Sequence, residues 1–302
     1  MELDTRKTGI ILVTVSILIT LIAAVLANKG EKESTRTIAG SGKVAVIYLT
    51  GAITSTQDSI IWGTGSSTSL TMNYLENAEK DDSLDAVVLR IDSPGGSANA
   101  SQELYEQVLR VKKSGKKVVA SFGDTAASGG YYVAAAADKI VAGPSSLTGS
   151  IGVISTVPNL EELYNKIGYK ERVFKSGTFK DMLSPSRPLT PEEEKIMQGI
   201  IDDTYHQFIN AVAKGRGMSL DQVRKLADGR IFTGNQAKEV GLVDELGGKR
   251  EAIELAADLA GIKGEPEVVE YRRMPGFLDI LQRFGFLSQK PLLYPAYTTI
   301  QY

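Results

Sequence analysis

The sequence predicts an α/β fold with a largely parallel sheet and flanking helices. Three runs rich in β-branched residues have the near-continuous apolar character of strands buried on both faces, and they span Lys43–Thr50, Asp85–Ile91 and Lys117–Phe122. Ser101–Lys113, between the second and third runs, places its apolar residues at helical spacing. Strands that alternate with helices favour parallel pairing, because the chain must cross back over the sheet before the next strand begins.

Shorter elements are predicted in the second half of the chain. Lys139–Ala142 and Ile151–Ser155 are short apolar runs typical of strands, and Arg172–Phe174 is a third candidate. Thr190 is a cap residue followed by proline and acidic residues, so it predicts the start of a helix that continues to Lys214. Further helices are predicted at Ser219–Asp228, Thr233–Val240 and Lys249–Gly261. These helices are too short to form a second core, so we expect one domain over residues 43–270.

The N-terminal region predicts a membrane anchor. Residues 9–27 carry no charge, and as a helix they would span about 28 Å, close to the thickness of the hydrocarbon core. Residues 1–8 then form a short tail, and the polar residues 28–42 form a linker. A cleaved signal peptide is an alternative, because small residues end the apolar run, and a buried terminal helix is another. Residues 271–302 are an apolar, aromatic tail whose role the sequence does not reveal.

The composition excludes several classes of function. The chain has 302 residues and a net charge of -2, which argues against a nucleic-acid-binding protein. Cysteine is absent, so disulfides, thiolate–metal sites and a cysteine nucleophile are excluded. His206 is the single histidine, which excludes a zinc site built from two or three histidines. Two basic residues precede the apolar run and three follow it closely, so the positive-inside rule does not orient the anchor.

Three glycine-containing turns follow predicted strands and are candidates for a catalytic site. They lie at residues 92–97, 124–132 and 148–152. Glycines leave backbone N–H groups uncovered, so such a turn can bind an anion or an oxyanion, although each is equally explained as a tight connection. In the second turn Ser128 is flanked by small residues, which permit close approach of a substrate. The alternative for Ser128 is an ordinary helix cap.

A nucleophilic serine requires a base, and the sequence offers two candidates. His206 lies in the middle of a predicted helix with no acidic residue obviously placed to orient it, and a surface or packing role explains it equally well. Lys180 lies in a non-repetitive segment of small, apolar and turn residues, which is an unusual context for a lysine in this chain. Its neighbour Asp181 leaves a plain surface ion pair as the alternative.

Taken together, these segments resemble the signal peptide peptidase A (SppA) family of membrane-anchored serine proteases. The resemblance covers about residues 43–250 and matches the short, single-repeat members. The motifs that carry it, in chain order, are DSPGGS at 92–97, AASGGYYVA at 126–134, LTGSIGV at 147–153, KSGTFKDMLSPSR at 175–187, KGRGMS at 214–219 and ADGRIFTGNQAKEVGLVDELGG at 227–248. The family has the fold of ClpP and the crotonases, which agrees with the α/β prediction.

The resemblance implies a role for five residues. The family's nucleophile corresponds to Ser128 and its general base to Lys180, which must be uncharged to accept the serine proton and is therefore expected in a low-dielectric cleft. Ser150 corresponds to the serine that orients the lysine. The backbone N–H groups of Gly95 and Gly129 correspond to the oxyanion hole. The resemblance implies no metal and no cofactor.

The same resemblance implies a substrate class, an assembly and a location. We expect cleaved signal peptides and other small or unfolded polypeptides as substrates, a homo-oligomeric ring, and a catalytic domain outside the cytoplasm on a single-pass anchor. Two other functions remain open at this point. One is a crotonase-type enzyme acting on an acyl-CoA, and the other is a catalytically silent membrane scaffold.

Overall fold

The fold is a sheet with helices on both faces, as the sequence predicts. A computed structural model describes Thr20, residues 42–55 and residues 67–271. The chain divides into two units, Met1–Gly40 and Ser41–Tyr302, and the description below concerns the second. Its strands are β1 (Lys43–Thr50), β2 (Ala86–Ser93), β3 (Lys117–Ala127), β4 (Lys139–Ala142), β5 (Leu147–Gly149), β6 (Ile231–Thr233), β7 (Glu245–Leu246) and β8 (Glu267–Tyr271).

The sheet is parallel throughout its centre. Its strand order is β6-β5-β3-β2-β1-β8, with β4 paired to β3 and β7 paired to β4. Within the described residues, the antiparallel pair is β5 with β6, and every other strand pair is parallel. The carboxyl ends of β2 and β3 therefore lie at the same edge of the sheet, and the turns that follow them come close together.

The central strands are buried on both faces, which explains their continuous apolar sequence. The helices are α1 (Ser67–Lys80), α2 (Ala98–Lys113), α3 (Gly129–Ala134), α4 (Glu161–Ile167), α5 (Pro191–Arg216), α6 (Leu220–Leu226), α7 (Gly234–Glu239) and α8 (Lys249–Ala260). In β1, Ile47 and Leu49 face a large core that also contains residues of α1, α2, α3 and α5. Val44 and Val46 face the opposite side, where they pack with Ala252 of α8.

Most predicted elements are confirmed, and two predicted strands are wrong. Ile151–Ser155 is not a strand, because Gly149 and Ser150 take positive φ angles of 77° and 48° and turn the chain out of extended conformation. The strand lies just before this point, as β5. Arg172–Phe174 is also not a strand: these residues are exposed and belong to no pair in the sheet.

Several predictions lie outside the described residues. Apart from Thr20, the predicted anchor at residues 9–27 belongs to this group, as do most of the linker at 28–42 and the tail beyond Tyr271. Within the ranges that are described, no helix is both long enough and apolar enough to cross a membrane.

The connection between β5 and α5 exposes much apolar surface. We call residues 154–183 the exposed segment, because it contains eight large hydrophobic residues that are at least one-third exposed. Phe174 is 87% exposed and Ile167 is 66% exposed. The others are Ile154, Leu163, Tyr169, Val173, Phe179 and Leu183. Single exposed apolar residues are ordinary, but eight in one segment form an unusually apolar surface.

Charged side chains fix the end of the exposed segment to α5. Arg187 donates to both carboxylate oxygens of Glu193, at 2.8 and 2.6 Å, and to Asp181 at 2.9 Å. Lys175 also donates to Asp181, at 2.7 Å. The hydrogen bonds from Arg187 hold the pKa of Glu193 at about 2 and the pKa of Asp181 well below its usual range. Both carboxylates therefore stay charged at any physiological pH, and the turn that carries Lys180 is tied to the start of α5.

A close contact with α3 fixes the position of α5. A Cβ at Gly215, in the last turn of α5, would lie 1.8 Å from the backbone oxygen of Ala135, just after α3. Backbone atoms on both sides leave no flexible group that can move aside. Tyr132 of α3 and Phe208 of α5 pack edge to face in the same contact, with ring centroids 5.1 Å apart.

We predict that Gly215→Ala destabilises the protein by about 1–3 kcal/mol, because the added methyl group forces the two backbones apart. Gly199→Ala is the matched control in the same helix, since nothing lies within 4 Å of a Cβ at Gly199. That control should be neutral or stabilising by up to about 1 kcal/mol, because alanine is the better helix former. Urea unfolding of the two variants gives the comparison, and equal stabilities would contradict the proposed contact.

Candidate active site

Ser128 lies at the sharp turn between β3 and α3. Its backbone angles are φ 54° and ψ -120°, a conformation that residues with a side chain rarely adopt. The turn is held by two hydrogen bonds: the Ser128 N–H donates to the Gly149 oxygen at 2.8 Å, and the Ser128 oxygen accepts from Tyr132 at 2.9 Å. The Ser128 side chain makes no hydrogen bond to the start of α3, so its hydroxyl is not used as a helix cap.

The glycine turn after β2 lies against Ser128. Gly95 has φ 100°, and a Cβ there would lie 2.7 Å from the Gly129 nitrogen and 2.8 Å from the Ser128 Cβ. A Cβ at Gly129 would lie 2.3 Å from the Ser101 hydroxyl oxygen. The absence of side chains at Gly95 and Gly129 thus permits the two turns to meet beside Ser128. The Gly95 N–H donates to the Ser93 hydroxyl at 3.1 Å, so an oxyanion would have to share this donor with Ser93.

Ser150 lies on the same cavity as Ser128. It also has a positive φ, 48°, and its N–H donates to the Arg230 oxygen at 2.8 Å. The parallel pairing of β3 with β5 brings the two strand ends together, because Ala127 is in register with Gly149. The structure therefore brings together four of the five residues that the resemblance implies: Ser128, Ser150, Gly95 and Gly129.

A cavity lies beside Ser128. Its volume is about 530 Å³, and small and apolar residues form most of its wall. The described residues that line it are Pro94, Ser128, Ser150, Gly152, Val153, Ile154, Tyr205, Ala227, Asp228 and Gly229. Among them, Asp228 is the residue with a formal charge.

The two candidate bases do not line this cavity. The side chain of Lys180 is exposed. Its backbone N–H donates to the Gly177 backbone oxygen at 3.2 Å, in a turn of the exposed segment. Among the described residues, no low-dielectric cleft surrounds Lys180. His206 is also exposed on α5, next to Tyr205. The exposure of His206 agrees with the surface role that the sequence left open for it.

Sequence reasoning missed two residues in the wall of the cavity. Tyr205 donates its hydroxyl to the Ala227 oxygen at 2.9 Å, which ties α5 to the turn that contains Asp228. Asp228 stands in the motif at 227–248, so that motif was a signal for it. Nothing in the sequence indicated Tyr205, because only the packing of α5 brings its side chain to the site.

Comparisons with known proteins identify the family of the chain. Peptidase family S49 matches residues 110–263, a range that includes Ser128, Ser150 and Lys180. A Synechocystis sp. protein named as a protease is 45% identical over 228 residues, which cover 76% of this chain and 77% of the relative. An Enterococcus faecium protein named as signal peptide peptidase SppA is 37% identical over 229 residues, covering 76% and 67%.

An archaeal relative is aligned over more of the chain. A Methanocaldococcus jannaschii protein named as a protease is 38% identical over 269 residues, which cover 87% of this chain and 85% of the relative. The match to the family extends over half of the chain, and these relatives are aligned over two thirds or more of their own lengths. The chain therefore belongs to the SppA-type serine peptidases of peptidase family S49.

Proposed function

We propose that this peptidase is an endopeptidase with Ser128 as its nucleophile and Lys180 as its general base, and that it degrades cleaved signal peptides and other small or unfolded polypeptides. The observation that carries the proposal is the strained turn at Ser128. It places a serine hydroxyl that caps no helix at the wall of a cavity, and neither Gly129 in the same turn nor Gly95 in the neighbouring turn has room for a side chain. Strain of this kind persists where the surrounding structure enforces it, commonly at functional sites.

The proposed reaction follows the acyl-enzyme route. The Ser128 hydroxyl oxygen attacks the peptide carbonyl carbon while Lys180 takes the hydroxyl proton. The Gly129 and Gly95 N–H groups stabilise the negative charge that develops on the carbonyl oxygen. Lys180 then gives the proton to the leaving amine, and the C–N bond breaks. Water, activated by the same lysine, then hydrolyses the ester and restores Ser128. Throughout the reaction a hydrogen bond with the Ser150 hydroxyl orients the Lys180 amine.

The exposure of Lys180 in the single chain sets a requirement on this mechanism. A lysine in water is charged at neutral pH and cannot accept a proton, so the exposed segment has to be covered when the enzyme works. The apolar residues of that segment favour a second copy of the chain as the cover, in keeping with the ring expected from the resemblance. Two arrangements are possible. The neighbouring copy either buries Lys180 beside Ser128 of the same chain, or it contributes its own Ser128 to the Lys180 that it covers.

The same proposal includes anchoring by residues 9–27 and a body outside the cytoplasm. A cavity walled by small and apolar residues suits the apolar side chains of a signal peptide. The Enterococcus faecium relative is named as a signal peptide peptidase, which favours the same substrate class here. A linker of about 15 residues would keep the catalytic domain within about 20 Å of the membrane surface, where such peptides emerge.

Ser128→Ala should lower peptidase activity at least about 10⁴-fold and abolish labelling by a serine-directed fluorophosphonate, because the nucleophile is lost. Cleavage of casein and of a signal peptide, with far-UV circular dichroism to check folding, gives the measurement. Ser145→Ala is the matched control, since Ser145 is exposed and does not line the cavity. Retained turnover by a folded Ser128→Ala variant would refute the assignment.

Lys180→Met should lower activity by about 10²–10⁴-fold, the usual loss for a general base, whereas His206→Gln should retain most of it. Lys170→Met, which removes another exposed lysine of the same segment, controls for lost charge. An equal mixture of Ser128→Ala and Lys180→Met chains, refolded together, distinguishes the two arrangements. Activity returns only if a lysine of one chain serves a serine of another. A large loss in His206→Gln alone would instead support a Ser-His mechanism.

The location is tested by adding protease to intact protoplasts of cells that express the chain. A body outside the cytoplasm should be digested without detergent, because the added protease cannot cross the membrane. A cytoplasmic marker protein that stays intact serves as the control. Protection of the body until the membrane is permeabilised would place the catalytic domain in the cytoplasm and refute this part of the proposal.

A further inference from the structure

Asp228 is the one formally charged residue among the described residues that line the cavity beside Ser128. It lies in the turn Asp228-Gly229-Arg230 before β6. This turn runs antiparallel to the wall that contains Ser150: the Ser150 N–H donates to the Arg230 oxygen at 2.8 Å, and the Gly229 N–H donates to the Ile151 oxygen at 3.1 Å. Backbone pairing therefore fixes the position of Asp228 relative to the two serines.

The Asp228 carboxylate is bound by Arg230 on both oxygens. Arg230 Nε lies 2.8 Å from Oδ1 and 2.9 Å from Oδ2, and the Arg230 backbone N–H donates to Oδ1 at 3.2 Å. Arg230 Nη2 also contacts Oδ2. These hydrogen bonds hold the pKa of Asp228 at about 2, so the carboxylate is ionised at every working pH. Arg230 is thus the counter-ion of Asp228 in the wall of the cavity.

Arg230 is not itself one of the residues that line the cavity. The substrate consequently meets a carboxylate whose charge is balanced by a cation attached to the same three-residue turn. Both side chains are about half exposed, so the pair contributes little to folding stability. The ion pair of Asp228 with Arg230 instead affects the charge that a substrate side chain would contact next to the nucleophile.

We propose that Arg230 is a specificity-determining residue: by pairing with Asp228 it keeps the cavity neutral, so that the enzyme prefers uncharged side chains and does not select lysine or arginine next to the scissile bond. This inference rests on the proposed peptidase function and on Ser128. Removing Arg230 would leave an unpaired carboxylate beside the nucleophile. A substrate cation within about 4–5 Å of that carboxylate would then bind more tightly by a factor of about ten.

The test compares pairs of peptides that the wild-type protein cleaves, in which lysine replaces norleucine at each of the three positions on either side of the scissile bond. The quantity measured is the ratio of kcat/KM for the lysine peptide to that for the norleucine peptide, on the full-length protein. Arg230→Met should raise this ratio about tenfold at one or two positions, and the increase should shrink at high salt. Arg230→Gln is the second variant and should behave in the same way.

Two controls identify the cause of the change. The double variant Asp228→Asn with Arg230→Met should return the ratio to the wild-type value, since no carboxylate is left to attract the lysine. Arg224→Met removes an arginine that pairs with Asp221 on α6 and does not line the cavity, so its ratio should not change. A ratio that stays within twofold of wild type at every position, in folded Arg230→Met and Arg230→Gln, overturns the inference.

The result also distinguishes this inference from the proposed function. Wild-type protein that shows no Ser128-dependent cleavage of the norleucine peptides would refute the peptidase mechanism, and the inference with it. Normal cleavage with an unchanged ratio would refute only the role of Arg230. An increase that persists in the double variant would also overturn the inference, because it would show that Asp228 is not the group that attracts lysine.

Discussion

The backbone of Ser128 adopts a conformation that a residue with a side chain takes only when its surroundings enforce it. Here the enforcement comes from two directions. The parallel pairing of β3 with β5 supplies the Gly149 oxygen that accepts the Ser128 N–H, and the start of α3 engages the Ser128 oxygen. Gly95 can approach because it has no side chain. The sheet register, the glycine turns and the position of the hydroxyl are therefore one constraint, and moving any of them would move the others.

The sequence predicts this framework well because burial on both faces leaves a strong pattern. β1 was predicted with its observed ends, and the Thr190 cap of α5 is present as a capping box with Glu193. The error at Ile151–Ser155 has a specific origin. An apolar run there looked like a strand, but the positive φ of Ser150 turns the chain, and no pattern of residue types reports a strained serine. The positive φ of Ser150 is thus a feature of the site that the sequence does not predict.

The site itself was predictable only in part, and the reason is physical. Ser128, Ser150 and the two glycines belong to turns at the ends of neighbouring strands, so the sheet alone brings them together. Lys180 belongs to the exposed segment, eight of whose large apolar residues are at least one-third exposed in the described part of the chain and whose Asp181 is held by Arg187. In the proposed mechanism, the environment of Lys180 depends on the second copy of the chain that covers this segment.

Two ion pairs with similar hydrogen bonds have different roles in the described part of the chain. The contact of Arg187 with Glu193 joins a nearly buried carboxylate to the turn that carries Lys180, and it fixes where that turn can lie. The contact of Asp228 with Arg230 is half exposed, and in our proposal it sets the charge of the cavity wall. For the apolar substrates that we propose, a neutral wall is favourable, while the Asp228 carboxylate also accepts the Arg230 backbone N–H in the turn before β6. A counter-ion from the same turn satisfies both conditions, because the carboxylate keeps its backbone hydrogen bond while the Arg230 guanidinium balances its charge.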